Sequence, residues 1–411
     1  MSVNFSFGVG DALQVIDAIK NWFNAEQERI SFEAWKYVSF REECDELVRY
    51  YELNNTPLFA YPSASGSKIK VPLYVRPEWL VLNDERLKIK LFEGFLPPYE
   101  PNKHQKKFLD FYQQMRVRTG RGETWDSTVF RLVNFETSSN IVRMEFGEGK
   151  FWDSVKCHYV LEHELLSQIR KNPNRRKNFK LRDRVAKNAE AIEKFYTKNV
   201  CRIGVSNLLI MNTKEGYTPF IQQRGSNSLA VGFDTVSSGI FDIVTTVDAD
   251  ITLRHKVLVE VGEELFDYKD LIRSQGFLNP RFFYPWDGIN DLIELFENGG
   301  ASFYVTGLCI DLIRLVPEIT TLLIIQDPTY YQEHSGYGSR VEFKLNSEYD
   351  SALRRGYHIS KIDDIDDYFA YEIPTLPAGN KHGFDSQMWT LPGGFCYYQG
   401  LKRAVELKLL G

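Results

Sequence analysis

From about residue 200 the apolar runs follow one another in an order that few folds can accommodate. Residues 201–212 contain Leu208-Leu209-Ile210-Met211, then Lys214-Glu215-Gly216 forms a turn, and residues 218–223 complete what reads as a β-hairpin. A loop with Ser237-Ser238-Gly239 leads into a helical segment over about 250–266, after which 302–310 and 319–325 are again strand-like. A helix set between two pairs of strands predicts a second half that is neither all-helical nor all-β.

The helical segment carries Val259-Glu260-Val261-Gly262-Glu263-Glu264, whose acids at i, i+3 and i+4 share one helix face. Like charges so spaced repel by a few tenths of a kcal/mol per pair, so a positive charge among them would be welcome. Two readings stand side by side: a face that binds a divalent cation through oxygen ligands, or an ordinary solvated acidic face. Lys256 lies one turn before Glu260, spaced for an i,i+4 pair.

In the order of these runs and the acids of the helix, the second half resembles a Nudix hydrolase domain, and more specifically a divergent group of bacterial Nudix-like proteins. That family carries a box written G-x5-E-x7-R-E-U-x-E-E-x-G-U, where U is bulky and aliphatic. Setting its core on Val259–Glu264 keeps Val261 and the acids Glu260, Glu263 and Glu264; a second register, with Gly262 as the closing glycine, loses two acids. In the first register Gly239 stands for the opening glycine, Val259 replaces the arginine that helps to orient a catalytic glutamate, and Phe266 replaces the late glycine.

The resemblance implies a C-terminal α/β/α sandwich with a mixed sheet, Mg²⁺ or Mn²⁺ as cofactor, and hydrolysis of a phosphoanhydride in a nucleoside-diphosphate-linked substrate. Metal ligands would be Glu260, Glu263 and Glu264. Glu260, Glu264 and Glu318, the last preceding a later strand, would be catalytic, one of them taking a proton from metal-activated water. Arg224, after the second hairpin strand, and Gly239 would face substrate, the arginine clamping phosphate through its planar fork. Without the box arginine, two alternatives remain: a weak or inactive Nudix-derived nucleotide sensor, and a protein-interaction module using the aromatic-rich N-terminal half.

Length supports more than one domain. The 411 residues divide into an α+β N-terminal region at 1–169, a basic connector helix at 170–199 and the Nudix-like region at 200–411. The connector holds 11 basic residues against 3 acids, which reads as a solvated linker or a nucleotide-guiding stripe. Residues 9–22 have the spacing of an amphipathic helix with Asp11 as its cap; 72–80 and 128–135 read as extended. A formal net charge of −5 argues against a nucleic-acid partner. No apolar run of about 18 residues argues for a membrane span. The five scattered cysteines fit neither a disulfide framework nor a zinc pattern, and with no signal-like start they imply the cytoplasm. His158 and His163, five apart, read as structural.

Overall fold

A computed structural model describes residues 40–63, 67–80, 82–94, 96, 99–100, 103–118, 126–138, 141–171, 177–196, 199–214, 216–224, 232–243, 247–268, 272, 281–335, 343, 354–355 and 389–409. The expected helix at residues 9–22 lies outside them. Helix α1 (Phe40–Leu53) precedes a short ribbon of β1 (Ala60–Pro62) and β2 (Lys68–Lys70), then β3 (Leu73–Tyr74) and a 3-10 turn at Pro77–Trp79. A four-stranded sheet follows, with β4 (Leu87–Leu91) parallel to β6 (Val142–Lys150), which pairs antiparallel with β5 (Thr128–Thr137), and β5 in turn with β7 (Cys201–Arg202). Between its strands lies α2 (Lys103–Arg118), packed on α3 (Phe151–Lys171). His158 of α3 is wholly buried, its Nδ1 2.8 Å from the Arg314 carbonyl. Burial and the nearby Arg202 pull its pKa down to about 3, so it is neutral and structural.

Within 170–199 the described backbone forms two short helices, α4 (Lys180–Val185) and α5 (Ala189–Phe195). Arg182 is fully buried rather than solvated. Its guanidinium donates to the Tyr51 hydroxyl at 3.1 Å and to the carbonyls of Ile313 at 2.9 Å, Leu161 at 3.3 Å and Leu312. Its hydrogen bonds therefore tie α1 and α3 to the turn after strand β12 (Ala301–Asp311).

The larger sheet contains the elements expected from the sequence. Strands β8 (Gly204–Thr213) and β9 (Gly216–Arg224) form the hairpin; β10 (Gly232–Thr235) and β11 (Gly239–Ile240) pair with β9 and β8. Helices α6 (Val247–Asp250) and α7 (Leu253–Leu265) cross before α8 (Ile289–Asn298). Then β12 pairs antiparallel with β13 (Val316–Ile325), which lies parallel to β8. Helix α9 (Pro328–His334), β14 (Arg354–Arg355) and α10 (Leu391–Glu406) complete the described elements. The order β10-β9-β8-β13-β12-β3 shows that an N-terminal strand ends the sheet, Tyr74 facing Ile310 and Leu73 facing Asp311. The fold is mixed α+β, and one continuous apolar core runs from Leu47 in α1 to Ala404 in α10.

Strand parity fixes the two faces of this sheet. A Cβ on Gly400 of α10 would press on Leu208, so even-numbered residues of β8 point toward α10. Phe220, in register with Leu209, faces the other way and meets Tyr331 of α9 with ring centroids 5.7 Å apart. Helix α10 thus covers one face and α9 the other, and α7 joins α9 through the contacts below.

Candidate functional site

Helix α7 is buried nearly all round, from His255 to Leu265 without a break. An apolar helix in that position is ordinary core, but this one carries Lys256, Glu260, Glu263 and Glu264 into the interior at 1%, 6%, 3% and 5% exposure. The acids do not form a solvated face, so each needs a buried partner.

Lys256 supplies one. Its ammonium lies 2.6 Å from Glu260 Oε1 and donates a short hydrogen bond to Asp242 Oδ1, just after β11. Burial pulls the lysine pKa down, yet the carboxylates of Asp242, Glu260 and Glu263 and the hydrogen bond to Asp242 hold it above the ordinary lysine value. The positive charge that the acidic spacing called for is thus the chain's own ammonium. Gly239 lies against the same pair: a Cβ there would overlap the Glu260 carboxylate. Its register partner is Val205, so Glu260 sits over the face of the sheet opposite α10.

Glu264 serves a different purpose. Its Oε2 accepts from the backbone N–H of Ser237 at 2.5 Å and of Ser238 at 3.3 Å, and from Gln222 Nε2 at 2.9 Å. Ser237 has φ +67°, a backbone state unusual for a non-glycine residue. The carboxylate holds this turn in place. The turn is fixed further by Ser238 Oγ, which accepts from Asn207 N at 3.2 Å and lies 2.9 Å from Thr235 Oγ1. Gln222, two residues along β9 from Phe220, shares the face covered by α9.

Glu318 lies across the sheet from these groups. It is in register with Gly204, and Ser206 Oγ donates to its Oε1 at 2.5 Å, so it points to the α10 face. Gly204 leaves room for it, since a Cβ there would overlap the carboxylate. The structure brings Gly239, Glu260, Glu263 and Glu264 to one face and sets Glu318 on the other. Arg224 ends β9 opposite Gly232, with its side chain outside the described residues.

Among the described residues, no group of three or more His, Cys, Asp or Glu side chains is arranged to hold a metal ion. With Lys256 in place and Glu264 committed to the Ser237 turn, the carboxylates do not fit a divalent cation. No family model and no curated protein matches the chain. No described helix is long and apolar enough to cross a membrane.

Sequence reasoning missed Asp242, Gln222 and the two serine N–H groups, because each reaches α7 only through tertiary contact. It also missed a buried relay at the start of α7, where His255 Nε2 is 3.2 Å from Asp250 and its Nδ1 is 2.8 Å from the Tyr284 hydroxyl. The only signal available was Lys256 at i−4 from Glu260, which identifies a pair but not its burial.

Proposed function

We propose that the region from residue 200 onward is a Nudix-derived α/β/α module that binds a nucleotide-linked ligand without metal-dependent hydrolysis. The observation that carries this reading is Lys256, whose buried ammonium occupies the position a cation would need beside Glu260. Val259 at the box-arginine position supports it, since nothing there can orient a catalytic glutamate. Helices on both faces of a mixed sheet, with β8 parallel to β13, support the family likeness. Arg224, at the end of β9, is the residue we assign to the ligand's phosphates. The five free cysteines fit a reducing compartment.

The test pairs two measurements on the full chain. Phosphate release from a panel of nucleoside-diphosphate-linked compounds with Mg²⁺ or Mn²⁺ should stay at background, while calorimetry should show a member of that panel binding equally well with and without a chelator. Turnover that requires Mg²⁺ and disappears in Glu260→Gln would overturn the reading in favour of a hydrolase.

A further inference from the structure

A cleft of about 190 Å³ opens on the α10 side of the large sheet, away from the α7 carboxylates. At about 30 Å³ per water it has room for about six waters, below the range of about 300–1,000 Å³ that holds drug-sized ligands. Its wall is built from the last turns of α10, the loop before β4 and the centre of β12.

Several features there are unusual for plain packing. The ladder of β12 and β13 shifts register between Val305 and Gly307, making Thr306 the extra residue of a β-bulge, a device that re-aims a side chain. Thr306 Oγ1 donates to Thr320 Oγ1 at 3.0 Å, which leaves its own oxygen at the cleft wall. Gln399 is only 3% exposed and lines the cleft, so its amide is available to whatever enters there. The Nε of Arg403 is buried with no acceptor among the described residues, although its Nη1 reaches Glu406 at 3.5 Å. Lys402 and Arg86 bring the lining cations to three, against Glu406 on the lining and Asp84, whose carboxyl feels Arg403.

We infer that this cleft binds a small oxyanion, a phosphate or carboxylate group, through Lys402, Arg403 and Arg86, with the Gln399 amide bonding a polar atom beside it. The unmet group is a donor, Arg403 Nε, and an oxyanion presents only acceptors. Cation and anion in a partly enclosed site make the stronger, charge-assisted kind of hydrogen bond. The site is independent of the α7 carboxylates and of any nucleotide bound near them.

The experiment uses the full chain with inorganic phosphate, acetate and chloride at matched ionic strength, read by thermal shift and by calorimetry. Saturable stabilisation by phosphate is expected, and Lys402→Ala should weaken it by about tenfold or more. Gln399→Leu should weaken it less, because it removes no charge, and circular dichroism will establish that both variants are folded. Saturation by acetate and not phosphate would assign the site to carboxylates. Equal effects of all three salts, or equal phosphate affinity in wild type and Lys402→Ala, would overturn the proposal and leave the cations serving only the C-terminal dipole of α10.

Discussion

Lys256→Met is the sharpest test of the buried ion pair. Methionine keeps most of the side-chain length but removes the ammonium, leaving Asp242 and Glu260, each 8% exposed at the side chain, without their counter-ion. Removing one partner of a buried pair costs about 3–5 kcal/mol, a large part of the roughly 5–15 kcal/mol that holds a typical domain. The deficit should depend on pH with a defined sign. In the wild type Lys256 has a folded pKa raised above its unfolded value, so its contribution is fully present below about pH 10.4 and is lost as pH rises through the raised value. In the variant, the stranded carboxylates lose their counter-ion, so the deficit should be smaller at acid pH than at neutral pH. Urea denaturation at pH 7.5 and pH 4.5 reads the deficit and its change in the variant. A divalent cation should also stabilise the variant and not the wild type, since removal of the ammonium opens an oxygen-lined place. A pH-independent deficit under about 1 kcal/mol, within the range of ordinary substitutions, or equal stabilisation of both proteins by Mg²⁺, would refute the assignment of Lys256 as the internal cation.

Glu264→Gln should destabilise by about 1.5–3 kcal/mol, because three donors lose a charged acceptor; hydrogen exchange at Ser237 and Ser238 should quicken, and unchanged exchange would contradict the clamp. Burial pushes the Asp311 carboxyl up to about 6, against the pull of Arg314 and the Ile313 N–H. A raised folded pKa means stability is present at acid pH and is lost as pH rises through 6, so Asp311→Asn should gain about 3 kcal/mol at pH 8 relative to its effect at pH 4. A pH-independent effect in urea titrations would dispose of that. Gly239→Ala should cost about 1–3 kcal/mol by forcing Glu260 away from Lys256, and a variant with an unchanged melting temperature would show that the carboxylate has room to move.

The hairpin, the crossing helix and the two later strands were legible because local period reports them. Observed bounds, such as Leu253–Leu265 for the helix, fall within a few residues of the expected ones. Gly239 was expected in a loop, but it opens β11, where pairing with Val205 sets it against Glu260. The two sides of the sheet were not legible. Glu318 and Glu264 are alike in a linear reading, and only register decides that one points to α10 and the other to the Ser237 turn. The burial of α7 was also hidden, since three acids on one helix face look solvated until Asp242 and Lys256 are seen to enclose Glu260. Arg182 shows the same limit within the basic stretch: nothing local distinguishes the one arginine that bonds Tyr51, Leu161, Leu312 and Ile313.

The pairing of Leu73 with Asp311 bears on how the chain is made. During synthesis, β3 and α1 leave the ribosome long before the strand that β3 joins exists. At about 5–20 residues per second, the interval between Leu73 and Asp311 is roughly ten to fifty seconds. Through that time Leu73 and Tyr74, both buried in the finished fold, lack the strand they pair with. A stop codon or ribosome stall before β12 would release a fragment in which β3 has an open strand edge, prone to aggregate.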